Sequence, residues 1–319
     1  MKILFTSVGR RVELVQAFKN ASKELGIDLT IFGADISATA PALFFCDKQV
    51  IVCKISDDNY IPSLLNICRE DKIDALIPTI DTDLLILSQN KKKFEEIGTK
   101  VFISEENKIK ICRDKRETAR FFESIGLNSP MPVDNYKKYN LGFPAFIKPK
   151  DGSSRINAYK VNDDSELEMY AKKVPDYIIA PFIEGTEYTI DAFCDYESNP
   201  IFITPRIRLA VRSGEVLKTQ ISQDEKIIEE AKTIIDVFKP RGPITIQLIR
   251  QTLTGKDFFI EINPRFGGGA PLSMKAGADS AKALLQILNG DKVDYQNKTA
   301  IEGAIYSRFD QSVRVKWLK

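Results

Sequence analysis

The stretch that decides the fold is FIEINPR, residues 259–265. Read as a strand, its side chains alternate between two faces. Phe258, Ile260 and Ile262 fall on one face, and Phe259, Glu261 and Asn263 on the other. A buried-looking strand therefore carries a carboxylate and a carboxamide on one side. Pro264 ends it, and Arg265 with Gly267, Gly268 and Gly269 follows. Two hard oxygen donors on one face suit Mg²⁺, with Mn²⁺ as the alternative, and such an ion usually shares its shell with nucleotide phosphates. GPITIQL supplies a third oxygen, Gln247, on an antiparallel neighbour if the TLTG turn (252–255) closes a hairpin.

The rest of the composition narrows the chemistry. The chain has 319 residues, room for two or three domains. It is 43% hydrophobic and 28% charged, ordinary for a soluble globular protein. A net charge of +2 sets up no global field that asks for nucleic acid or an acidic membrane. There is no charged–apolar–small leader and no apolar run of bilayer length, so the expected location is cytoplasmic. The five cysteines lack CxxC spacing and read as reduced core thiols. Histidine is absent altogether. Ser-His-Asp and Cys-His nucleophiles and His-ligated zinc are excluded with it. Catalysis must run on carboxylates, amides, Lys, Arg and backbone N–H groups.

Residues 1–112 alternate short apolar strands (2–6, 29–35, 48–53, 75–79, 100–104) with amphipathic helices (10–26, 59–70 and one from Asp81). Such runs between helices read as parallel strands covered on both faces, a Rossmann-like doubly wound unit. A helix capped by Asp114 covers 114–125, and the turn-rich segment 126–144 reads as a connection. Beyond it the pattern changes to strand-like stretches broken by Gly, Pro and Asn. Helices interrupt them at 165–174, 223–239 and 280–290. That mixture reads as α+β with antiparallel sheets.

With these elements in order, QLIRQ…FIEINPR resembles the metal-binding end of the ATP-grasp superfamily, in particular the synthetase domains of carbamoyl phosphate synthetase large subunits. The resemblance runs over essentially the whole chain. It implies a Rossmann-like pre-ATP-grasp domain (1–112), a small ATP-grasp lobe with a glycine-loop lid (113–184) and a large lobe with the metal site (185–319). It implies that Gln247, Glu261 and Asn263 hold Mg²⁺, and that Lys115 in CRDKRET and Lys148 in FIKPKDGSSR meet the phosphates of ATP. Gly152, Ser153 and Ser154 form a phosphate cover, where small residues allow close approach. Phe182 and Ile183 are hinge contacts to adenine and Glu187 a ribose contact. Relatives often carry a charged residue where Ala180 stands, so backbone groups are expected to select adenine.

Alternation in TPRIRLAVRSGEV (204–216) puts Arg206, Arg208 and Arg212 on one face. Three guanidiniums there repel unless something anionic sits between them, and their forks match phosphate and carboxylate. Arg208 is the leading candidate and Arg212 the next. By resemblance, Arg265 stabilises charge on the transferred phosphoryl group, and Gly267, Gly268, Gly269 and Ser273 contact the acceptor carboxylate. TSVGRRVELV (6–15) lacks G-x-G-x-x-G, which argues against a dinucleotide fingerprint. Arg10, Arg11 and Asp35 belong either to an acceptor pocket or to the fold.

The implied reaction is ATP-dependent carboxylate–amine ligation through an acyl phosphate, releasing ADP and phosphate. Such chemistry needs positioning and charge compensation more than a protonatable base, in keeping with a chain without histidine. The expected partners are a small-molecule carboxylate and an amine, amino acids or their relatives. No nucleic acid or membrane partner is expected; homodimers are common among relatives, and the sequence leaves the oligomeric state open. Three alternatives stay open at this point: carbamoyl phosphate synthetase-like phosphorylation of bicarbonate, a non-catalytic ATP-binding module, and a Rossmann oxidoreductase.

Overall fold

The computed structural model describes residues 1–150 and 157–315. Strands β1 (Lys2–Thr6), β2 (Thr30–Asp35), β3 (Lys48–Ile51), β4 (Ala75–Pro78) and β5 (Lys100–Val101) form one parallel sheet in the order β3-β2-β1-β4-β5. Helices α1 (Val12–Leu25), α2 (Tyr60–Asp71) and α3 (Asp81–Glu95) connect its strands. The order reverses between β1 and β4, and the carboxyl ends of those two strands face a crevice. The strand expected over 100–104 shortens to β5, although Phe102 N–H still donates to the Leu76 carbonyl at 3.1 Å.

Two helices lie where the sequence pattern shows none. They are α4 (Glu106–Arg113) and α8 (Ala270–Lys275). Alpha-4 buries only Ile109, and α8 has six residues, so neither is long enough to display a periodic face. The helix capped by Asp114 is α5 (Lys115–Ser124); the Asp114 side chain accepts from the Arg116 N–H at 2.9 Å.

Beyond the connection, β6 (Ala145–Pro149), β7 (Tyr159–Val161) and β8 (Tyr177–Pro181) make a small antiparallel sheet backed by α6 (Asp164–Lys173). Its core, around Ala145, Ile147, Val161, Leu167 and Ile179, is its own. A six-stranded sheet follows in the order β13-β12-β9-β10-β11-β14. It is built from β9 (Gly185–Cys194), β10 (Pro200–Arg212), β11 (Glu215–Ile221), β12 (Gly242–Gln251), β13 (Asp257–Asn263) and β14 (Ile305–Ser307). One face packs on α7 (Glu225–Phe238) and α5. Its other end shares a core with the parallel domain: Phe5, Phe18 and Ile31 pack with Phe193, Phe266 and Leu284 of α9 (Ser280–Leu288). The parallel domain and the large sheet are thus joined by apolar packing, whereas the small sheet has its own core. No helix among the described residues is long and apolar enough to cross a membrane.

The β12–β13 hairpin is locked near its turn by charge. Arg250 and Asp257 stand opposite each other and pair bidentately at 2.7 and 2.9 Å. Lys226 reaches Asp257 at 2.8 Å, and Asp224 also pairs with Arg250. Glu230 sits beside this cluster with one buried oxygen that has no hydrogen-bond partner among the described residues. Burial first, and then the Asp257 charge, pushes its carboxyl up from 4.5 to about 7. The folded state therefore holds this proton to higher pH than the unfolded chain does. The contribution of Glu230 to stability is full below pH 4.5 and is lost as pH rises through about 7. Urea unfolding midpoints of wild type and Glu230→Gln, compared across that window, should diverge in favour of the variant as pH rises. A constant difference would show that Glu230 titrates normally.

Candidate active site

One face of the large sheet is apolar and the other carries the chemistry. Tyr188, Ile190 and Ala192 of β9 lie in the core with Ile244, Ile246 and Leu248 of β12. Glu187, Thr189 and Asp191, and Thr245 and Gln247, therefore point the other way. Gln247 is paired directly with Glu261 across the hairpin and with Thr189 on its other side. The Asn263 amide donates to Glu261 Oε1 at 3.0 Å. The three oxygen-bearing side chains singled out in the sequence thus share one patch of one sheet.

The alternation expected along 258–263 breaks at one point. Glu261 is opposite Gln247, but Leu248 is opposite Phe259, so Ile260 is an extra residue in a β-bulge. Phe259 consequently turns away from Glu261 and is fully buried with Ile262, 5.2 Å from the Phe122 ring. The pattern that grouped Phe259 with Glu261 and Asn263, and Ile260 with Ile262, is corrected by this bulge.

No group of three or more His, Cys, Asp or Glu side chains that could hold a metal occurs among the described residues. One carboxylate flanked by two carboxamides does fit Mg²⁺, which commonly takes one or two protein carboxylates and fills its octahedron with water and phosphate oxygens.

The arginines of β10 do not wait for an external anion, as their alternation had suggested. Arg206 is fully buried and its Nε donates to Asp191 at 2.7 Å. Arg208 pairs with Glu187 at 3.2 Å and donates to Thr189 Oγ1 at 3.3 Å. Arg212 stands exposed at the strand end, paired with Asp310 at 3.0 Å. Each cation has a carboxylate of its own. Arg208 remains at the polar face, one side chain from Gln247 through Thr189, whereas Arg212 is apart from it.

In the small sheet Lys148 lies on the face opposite the apolar core, with Phe146, whose ring centre is 6.0 Å from its ammonium. Lys115 Nζ donates to the carbonyl of Lys150 at 3.1 Å, so the start of α5 is fastened just past the end of the strand bearing Lys148. Gly152, Ser153 and Ser154 lie outside the described residues. At the hinge, Phe182 N–H donates to the Pro144 carbonyl at 3.0 Å.

Comparison with known proteins decides what this arrangement belongs to. The model of the ATP-grasp domain matches residues 112–269, and that of the PylC-like N-terminal domain matches residues 3–102. The chain carries an ATP-grasp domain behind a PylC-like N-terminal domain. It is 24% identical over 220 residues to 3-methyl-D-ornithine–L-lysine ligase of Methanosarcina mazei, covering 68% of this chain and 56% of that one. It is 25% identical over 218 residues to the carbamoyl phosphate synthase large chain of Campylobacter jejuni, covering 62% of this chain and 20% of that one. Biotin carboxylase from Campylobacter jejuni superposes with a TM-score of 0.75 at 16% identity, over 95% of this chain and 74% of that one, which shows the fold. The chain thus spans about half, or less, of the curated relatives named here.

Within the ATP-grasp domain the glycine run has a packing role that its sequence does not disclose. A Cβ on Gly268 would lie 2.2 Å from Glu215 Oε2 and 2.7 Å from an Arg11 nitrogen. One on Gly269 would lie 2.7 Å from Val216 and 2.8 Å from Arg206. The run makes room for the protein's own charged side chains. Ser273 is buried, and its hydroxyl donates to Asp191 Oδ2 at 2.6 Å.

Arg265 is anchored from the PylC-like domain. Its guanidinium donates to Asp81 at 2.6 Å, and Asp81 is the first residue of α3, where the helix dipole favours a carboxylate. Arg11 of the same domain enters the ATP-grasp domain beside Gly268 and pairs with Glu215 at 3.5 Å. Burial lowers its basicity, and neighbouring Arg265 lowers it further. Asp81, Asp191 and Thr189 were not singled out in the sequence. The alternation of TEYTIDAF could have exposed the last two, since Glu187, Thr189 and Asp191 share parity.

The bulge makes a measurable claim. Phe259→Ala should lower unfolding free energy by about 3–5 kcal/mol, as for other buried phenylalanines. Phe258→Ala should cost only about 1 kcal/mol. Urea denaturation of the two variants checks this, and a reversed order would mean that β13 runs without the extra residue.

Proposed function

We propose that this protein is an ATP-dependent carboxylate–amine ligase that forms a C–N bond through an acyl phosphate and releases ADP and phosphate. The observation that carries the reading is the shared patch of Gln247, Glu261 and Asn263 within a chain matched as ATP-grasp. In this reading the three side chains hold Mg²⁺, which supplies charge neutralisation between adjacent phosphates. Lys148 and Lys115 meet the phosphate tail from the small lobe, and Gly152, Ser153 and Ser154 cover it. Glu187 and Ile183 serve the ribose and the adenine. The proposed division is 1–112, 113–184 and 185–319, a reading supported by one sheet lying within each range, although α5 packs against the large sheet.

The acceptor carboxylate attacks the γ-phosphorus in line, and Arg265, held by Asp81, stabilises charge gathering on the transferred group. Arg208 contributes a second guanidinium at the polar face. The acyl phosphate must be kept from water. The separate core of the small sheet suits it to act as a lid over the large sheet. An amine then displaces phosphate. Amino acids are the proposed substrates, in line with the name of the Methanosarcina ligase. A homodimer in the cytoplasm is the proposed setting. The carbamoyl phosphate synthase relative supports a second reading, phosphorylation of bicarbonate, which bicarbonate-dependent phosphate release would distinguish.

The deciding experiment is a screen of amino acids and small carboxylates, each with an amine, for ADP and phosphate release. With the active pair, Glu261→Gln and Lys148→Ala should each lower turnover about 100-fold or more, with little change in thermal midpoint. Wild-type rates in either variant would remove that residue from the mechanism. No release with any acceptor, despite Mg·ATP binding, would leave a nucleotide-binding module.

A further inference from the structure

Beside Arg265 lies a small, partly open pocket with about 10 Å³ of free space, lined by Asp191, Thr245, Arg265, Gly267 and Ser273, among others. Two of these residues bring it a buried polar atom with no hydrogen-bond partner among the described residues, Asp191 Oδ1 and Arg265 Nε. Their other atoms are all committed. Asp191 Oδ2 accepts from Arg206 at 2.7 Å and Ser273 at 2.6 Å. The terminal nitrogens of Arg265 donate to Asp81 at 2.6 Å and to the Phe266 carbonyl at 3.3 Å. Thr245 Oγ1 donates to the Arg265 carbonyl at 3.2 Å and keeps acceptor capacity. Gly267 opens onto the same spot, for a Cβ there would be 2.9 Å from Thr245 Oγ1 and 3.5 Å from Asp191 Oδ1.

The chemistry of the lining selects the occupant. A guanidinium N–H on one side repels a cation. A carboxylate oxygen on the other repels an anion. A molecule that both donates and accepts satisfies both, and the space is that of a single water. We infer that this cavity holds one buried water, accepting from Arg265 Nε and donating to Asp191 Oδ1 and Thr245 Oγ1. Asp191 thereby becomes a positioning residue for two arginines: Arg206 directly and Arg265 through the water. Arg265 is then held at all three of its nitrogens, so its plane is fixed before any substrate arrives. The water site stands apart from the ligase reading; its effect on turnover rests on that reading.

A crystal structure of the full chain, at a resolution that orders internal water, tests the site. It should show one solvent peak within hydrogen-bonding distance of Asp191 Oδ1 and Arg265 Nε. Gly267→Ala leaves both charges in place and pushes a methyl group into the space, so the peak should vanish. Thr245→Val, similar in shape, removes one partner and should weaken the peak; it serves if Gly267→Ala does not fold. With the acceptor found by the screen, kcat of either variant should fall about tenfold while KM for ATP stays unchanged, as for a displaced catalytic group. An empty or ion-filled space in the wild type overturns the inference. So does a variant that loses the water yet keeps wild-type kcat. Absence of turnover in the wild type would sink the ligase reading and leave the solvent peak to decide the site.

Discussion

A single extra residue, Ile260, governs which side chains of β13 meet the cleft and which meet the core. On its outer side Phe258 and Phe259 follow one phase of the pleat. On its inner side Glu261, Ile262 and Asn263 follow the other. Without that change of phase, a strand that needs Phe259 in the core would also turn Glu261 into it, and a carboxylate there would need a partner or a proton. The Arg250–Asp257 pair fixes the hairpin on one side of the bulge. The hydrogen bond from Asn263 to Glu261 orders the other. The oxygen-rich patch with Gln247 is what these two locks leave exposed to the cleft.

Charge is handled in the same economical way across the polar face. Arg206, Arg208, Arg265 and Arg11 are drawn from three separate segments, and each has an acidic partner. Burying a guanidinium is tolerable only when it is paired and hydrogen-bonded. On the proposed reading, an anionic substrate would meet cations whose geometry is already set and would share them with internal carboxylates. Such sharing lowers the cost of keeping the site assembled without ligand and keeps the guanidiniums from pulling in arbitrary anions. It also brings the PylC-like domain up to this face, because Asp81 opens α3 and Arg11 directly precedes α1.

Much of this was legible along the chain. Parallel strands at 2–6, 29–35 and 75–79 announced themselves as apolar runs between amphipathic helices, since burial on both faces leaves no place for polar residues. Gln247, Glu261 and Asn263 were legible because two-residue alternation survives on each side of the bulge. The bulge itself was hidden: Phe-Phe-Ile-Glu-Ile-Asn is compatible with either phase, and only pairing against β12 selects one. Alpha-8 was hidden because six residues cannot show a helical period. The packing role of the glycines at 268 and 269 was hidden, because Glu215, Arg11 and Arg206 reach them from distant parts of the chain.

The sequence by itself determined which chemistries are excluded, because it has no histidine, and it sets lysines and hairpin oxygen donors in an order that resembles the ATP-grasp superfamily. It also determined the order of the domains, because local periodicity and turn residues act within a few positions of themselves. The tertiary structure alone decided the partners of each charge. Asp81 lies 184 residues from Arg265 and Arg11 far ahead of Glu215, and no local rule links such positions. Ion pairing depends on distance in space, and that distance exists only once the two domains close on their common apolar core.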